Sequence, residues 1–122
     1  MSRLRPDELD ERLPDDDLFV LDIRPREQFH EGHIDGSRNV PVYDAVRDGD
    51  PDALDRIADA VPADAEVVTV CKMGVVARTA TSHLDEQGHD AVTLAGGMRG
   101  WRGYQRGSLL YRVRSLLWDL LG

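Results

Sequence analysis

One stretch constrains the fold more than any other: Val67-Val68-Thr69-Val70-Cys71-Lys72-Met73-Gly74-Val75-Val76-Ala77-Arg78. A β-branched apolar run of this length reads as a buried strand. It delivers the only cysteine and the only lysine of the chain to a short turn containing Gly74, and a helix-like segment over 75–87 follows. A strand, tight turn and helix in immediate succession is the repeating unit of an α/β protein. A thiol at that junction lies where backbone N–H groups and the helix dipole converge on an anion. Two readings follow for Cys71: a reactive nucleophile, or a buried structural cysteine at a strand end.

The rest of the chain repeats the pattern. Pro6 to Leu13 reads as a short helix with an acidic first turn, stopped by Pro14. Leu18 to Arg24 fits a buried strand, Arg26 to Phe29 a helical turn, and 39–42 a short extended piece. The region 44–60 contains a loop at Asp48-Gly49-Asp50-Pro51 and a helix from Asp52 to Ala60. Ala91 to Leu94 is a strand closed by Gly96-Gly97, and 99–104 is a small helix or turn carrying Trp101. The expected class is α/β, a central parallel sheet flanked by helices on both faces. Ligands of such sheets bind beyond the carboxyl ends of the strands, where both Cys71 and Asp22-Ile23-Arg24 fall.

At 122 residues the chain accommodates one domain with a core. The acidic residues are 17 Asp and 6 Glu against 14 Arg and Lys72, a net charge of −8. This Asp-rich, Lys-poor composition is of the kind that salt-loving organisms use, and it argues against nucleic acid as a partner. With one cysteine no internal disulfide can form, and the N-terminus has no apolar run of a signal peptide, so a cytoplasmic location is expected. His30, His33, His83 and His89 show no metal-ligand spacing with the cysteine, so neither a metal nor a cofactor is expected.

Charge is uneven. Residues 1–98 carry 10 basic and 22 acidic side chains, a balance of −12, whereas 99–122 carry five Arg against Asp119, a balance of +4. Within this tail Leu109, Val113, Leu116 and Leu120, with Leu110, Leu117 and Leu121 beside them, share one helical face. Docking of that face on the domain's own sheet or helices is the first expectation, a dimer or partner helix the second, and attachment to a membrane surface the least favoured.

The ordered set of motifs resembles the rhodanese-like domain family. It comprises Leu21-Asp22-Ile23-Arg24, Glu27, Phe29, Gly32-His33-Ile34, Asn39-Val40-Pro41, the Cys71 segment, Leu84, Gly88, Leu94-Ala95-Gly96-Gly97 and Trp101. The resemblance implies a rhodanese-like domain over residues 4–105, leaving 106–122 as a basic amphipathic C-terminal helix or tail. It implies a sulfurtransferase in which Cys71 carries sulfane sulfur as a persulfide. The donor would be thiosulfate or a persulfide, and the acceptor a thiol, cyanide or a protein. The loop of Lys72, Met73, Gly74, Val75 and Val76 would bind the anionic donor, with Lys72 as its cation, while Asp22, Arg24 and Arg78 would order the loop. Arg78 has a second reading as a surface partner of Asp85 or Glu86.

Two loop positions depart from the pattern: Met73 is apolar where thiosulfate-active members often carry a polar or basic residue, and Val76 replaces a frequent hydroxyl. With no second cysteine, the sulfur would pass to another molecule. The alternatives are a non-catalytic interaction or regulatory module of the same fold and a related phosphatase or arsenate reductase. The latter group places Arg after five intervening residues, where this chain has Ala77. Both monomer and homodimer are compatible with these features.

Overall fold

The computed structural model of the chain describes residues 3–13 and 17–121, without the side chains of 108, 111, 112, 114, 115 and 118. Pro14, expected to stop the first helix, lies outside the described residues. The elements run β1 (Arg3–Leu4), α1 (Pro6–Arg12), β2 (Leu18–Asp22), α2 (Arg26–Glu31), β3 (Arg38–Asn39), α3 (Tyr43–Arg47), α4 (Pro51–Ala60), β4 (Glu66–Val70), α5 (Ala77–Glu86), β5 (Asp90–Leu94) and α6 (Gly97–Leu121). All strand pairs are parallel, in the order β1-β5-β4-β2-β3.

Because side chains alternate across a strand, each central strand feeds two cores. Val67 and Cys71 point to a core with Leu21, Ile57, Ala77, Ala80 and Leu84, under α3, α4 and α5. Val68 and Val70 point to the other, with Leu4, Leu9, Val20, Leu94, Met98 and Trp101, under α1 and α6. Helices therefore cover both faces of the parallel sheet, as the strand–helix alternation implies.

Several element ends differ from the sequence reading: β2 stops at Asp22 rather than Arg24, α2 runs to Glu31 rather than Phe29, β3 is Arg38–Asn39 rather than 39–42, and α4 starts at Pro51 rather than Asp52. Four further differences are larger. β1 is not foreseen; its two residues pair with Thr93 and Leu94 at the sheet edge, too short a run to show periodicity. α3 lies where the sequence decides nothing; it is a single helical stretch burying only Val46. Helix α5 begins at Ala77 rather than Val75, because the residues before it wrap around the cysteine sulfur.

The fourth difference is the largest. The small helix at 99–104 and the tail are one continuous helix, α6. Gly103 and Gly107 each cost about 1 kcal/mol relative to Ala, too little to break a helix that has no proline. The expectation that the tail docks on its own domain is not met: Leu109, Leu110, Val113, Leu116, Leu117, Leu120 and Leu121 are all exposed. The helix runs on from Met98 and Trp101, which are buried, and from Tyr104, whose hydroxyl donates to Asp10 on α1 at 2.7 Å, with no break that could fold it back. Among the described residues no helix is long and apolar enough to cross a membrane.

Candidate active site

β4 ends at Val70, and the chain turns sharply at Cys71, placing the thiol at the carboxyl edge of the sheet beside the end of β2. Cys71 is 1 % exposed. Its Sγ accepts hydrogen bonds from the backbone N–H of Gly74 at 3.1 Å and of Ala77 at 3.4 Å. The loop 72–76 thus folds around the sulfur, and the first residue of α5 closes it. Gly74 makes this possible with φ +81°, a conformation costly for any side-chain-bearing residue.

A second turn supports the loop from below. The N–H of Met98 donates to the Cys71 carbonyl at 2.9 Å and the N–H of Arg99 to that of Lys72 at 3.0 Å. These are N–H groups of the first turn of α6, which have no partner within their own helix. The approach is so close that a Cβ on Gly97 would lie 2.4 Å from the Cys71 carbonyl oxygen and 2.7 Å from the Gly74 nitrogen. One on Gly74 would lie 2.9 Å from the Gly96 nitrogen. Gly74, Gly96 and Gly97 are therefore one backbone-to-backbone contact between the two loops.

Asp22 and Arg24 form a buried ion pair, 1 % and 2 % exposed, with Arg24 Nη2 at 2.8 Å from Asp22 Oδ2. Asp22 Oδ1 also accepts the Arg24 backbone N–H, and Arg24 Nη2 donates to the Gly32 carbonyl at 2.7 Å. Asn39 Nδ2 donates to the carbonyls of both Asp22 and Arg24. Every charge of the pair is thus met within the protein, the condition under which a buried ion pair is tolerated. Its effect is to clamp the β2–α2 turn beside the cysteine loop. A hydroxyl cluster performs a similar service beneath α5: Thr69 on β4, Thr81 on α5 and Thr93 on β5 are linked at 2.8 and 2.6 Å, and Thr69 also donates to the Ala77 carbonyl.

The exposed face of the loop is chemically mixed. Met73 and Val75 are more than half exposed, whereas Val76 packs against the α3–α5 core. Lys72 lines a cleft of about 470 Å³ together with Arg24, Glu27, Gln28, Glu31 and Arg102. Arg24 is neutralised by Asp22, leaving Lys72 and Arg102 as the cations facing Glu27 and Glu31. Arg78 is exposed on the first turn of α5; its backbone N–H donates to the Val75 carbonyl at 3.2 Å, and among the described residues its side chain makes no hydrogen bond or ion pair with the loop, Asp85 or Glu86. His33 is exposed, stacks on Phe29 with ring centroids 4.0 Å apart, and its Nδ1 lies 2.9 Å from the Phe29 carbonyl, a structural position. Among the described residues no group of three or more His, Cys, Asp or Glu could hold a metal ion.

Sequence reasoning missed two contributors. Ala77 acts through its backbone N–H, which no side-chain motif reveals. Arg102 lies 31 residues beyond Cys71, and only the packing of α6 against the site brings it to the cleft; the charge excess of the tail was its one visible signal.

A parallel α/β sheet with a lone cysteine seated in a loop of backbone donors defines the class, and comparison with known proteins agrees. The rhodanese-like domain profile matches residues 5–104, and the chain belongs to that family. It is 33% identical over 102 residues to the thiosulfate sulfurtransferase GlpE of Pseudomonas aeruginosa, covering 83% of this chain and 84% of that protein. It is 32% identical over 90 residues to the putative sulfurtransferase YtwF of Bacillus subtilis, covering 73% and 78%. Among solved structures, a rhodanese-related protein from Thermoplasma volcanium superposes with a TM-score of 0.71 at 21% identity, covering 85% of this chain and 93% of that one.

Proposed function

We propose that the protein is a sulfurtransferase that carries sulfane sulfur as a persulfide on Cys71. The observation that supports this most is the cysteine sulfur held by the N–H groups of Gly74 and Ala77, next to Lys72, which lines a cleft with Arg102. In the proposed reaction the Cys71 thiolate attacks the outer sulfur of thiosulfate or of a persulfide. The S–S bond of the donor breaks, its electron pair leaves with sulfite or a thiolate, and Cys71 keeps the sulfur as Cys–S–S⁻. An acceptor thiolate or cyanide then attacks that outer sulfur and the Cys71 thiolate departs. The two steps exchange one sulfur atom and consume no oxidant or reductant.

Fixed backbone dipoles suit both states, because they stabilise a sulfur anion without having to reorganise. Lys72 and Arg102 attract the anionic donor, while Asp22 and Arg24 hold the neighbouring turn. Glu27 and Glu31 temper the positive field, and Met73 offers an apolar surface in place of a further charge. This lining favours a persulfide donor over the small dianion thiosulfate. Since Cys71 is the only cysteine, release requires a second molecule, either a small thiol or a protein acceptor.

The test is intact-mass spectrometry of the reduced protein after thiosulfate and, separately, after a persulfide donor, with Cys71→Ser as control. A gain of one sulfur atom that cyanide removes and the control lacks is the expected result. No adduct with either donor would overturn the proposal and leave a non-catalytic module of the same fold.

A further inference from the structure

Outside the site, the largest unexplained feature is the distal half of α6. Seven apolar side chains described between Leu109 and Leu121 are 46 to 87 % exposed. The central four, Leu109, Val113, Leu116 and Leu120, are spaced 4, 3 and 4 residues apart, the spacing of a helix seam that packs against another helix, with Leu110 and Leu117 widening it on one side. A contiguous apolar face of this size marks an interaction surface.

We infer that this face is covered by the same face of a second copy of the chain, giving a homodimer held by paired α6 helices. Three observations favour that occupant. Burying these side chains removes on the order of 600 Å² of apolar area per copy, by the area that burial of a leucine represents. With the flanking polar side chains, this approaches the roughly 800 Å² per partner of a stable interface.

Charge supplies the second argument. The region 1–98 has a balance of −12, so two such bodies repel strongly, whereas two 99–122 segments at +4 each repel far less, so contact through α6 carries a smaller charge penalty than contact through the bodies. The third argument is geometric: a face of one helix that is its own complement closes with two-fold symmetry and leaves no further apolar surface to recruit a third chain. Because Met98, Trp101 and Tyr104 anchor the start of the helix, the seam is displayed rigidly rather than on a linker.

Sedimentation of the full chain over a concentration series, together with Val113→Glu/Leu116→Glu and Leu116→Met variants, tests the inference. The wild type and Leu116→Met are expected at twice the chain mass and the double variant at the chain mass. The thermal transition of the body should persist in the double variant, showing that it is folded. A wild type that remains monomeric, or a double variant that remains dimeric, would overturn the inference. So would a monomeric wild type that floats with phosphatidylglycerol vesicles, which would assign the face to lipid.

Discussion

At Cys71 the side chain supplies the sulfur and the backbone supplies its surroundings, so substitutions near it separate into two kinds. Removing the neighbours' side chains should alter which donor arrives. Lys72→Glu with Arg102→Glu is expected to slow sulfur loading from anionic donors by roughly tenfold or more, with little change in melting temperature, since both side chains are exposed. Unchanged loading would remove both residues from the site. Altering the backbone contact should instead destroy the loop. Gly97→Ala places a methyl group 2.4 Å from the Cys71 carbonyl oxygen at a residue with φ +58°, and the strain is of order 1–3 kcal/mol before the clash is counted. Loss of loading together with a lower melting temperature is the expected result, and a fully active, equally stable variant would contradict the described contact. Arg24→Met leaves the Asp22 carboxylate buried without its partner and is expected to destabilise by about 3–5 kcal/mol, measurable by denaturant unfolding.

Among the elements, β4 and α5 do most to position the sulfur, and the threonine cluster joins them. Thr81→Val removes the hydroxyl that accepts from or donates to both Thr69 and Thr93, and a loss of about 1–3 kcal/mol is expected in equilibrium unfolding. β4 was legible from Glu66 to Val70 because its β-branched run is continuous and bounded by turns. α5 was legible as an element but not at its start, since Val75 and Val76 continue its apolar run in the sequence yet lie in the loop between Gly74 and Ala77, whose N–H groups hold the sulfur. α4 was legible as an element but begins one residue before the expected Asp52, at Pro51, because the Asp50 carboxylate accepts the Asp52 N–H and caps the helix there. β1 and α3 were hidden because each is too short to display a clear period. The Asp22–Arg24 pair was visible as a motif, but its contacts to Gly32 and Asn39 depend on packing that no local pattern encodes. α6 differs for the opposite reason: its apolar face is plain in the sequence, but the helix runs on without a break from Trp101 and Tyr104 and leaves that face exposed.

Over the whole molecule, charge is the strongest influence beyond the two cores. A body with a balance of −12 repels itself, and salt screens that repulsion over a Debye length of about 10 Å at 0.1 M. The melting temperature is therefore expected to rise with potassium chloride from low concentration to the molar range, and a flat profile would contradict the role assigned to the acidic surface. The two cores lie on opposite faces of one sheet, so the site at its carboxyl edge is supported from both sides: α5 and the threonines on one, α1 and α6 on the other.

The donors to the Cys71 sulfur, and the bonds from Met98 and Arg99 that brace its loop, all come from the main chain. The exposed side chains at 72, 73 and 75 can therefore be exchanged without disturbing the grip on the sulfur, whereas Val76 is tied to the core. The loop behaves as a socket with a replaceable collar: point substitution at those three positions changes what meets the sulfur while the three glycines stay fixed.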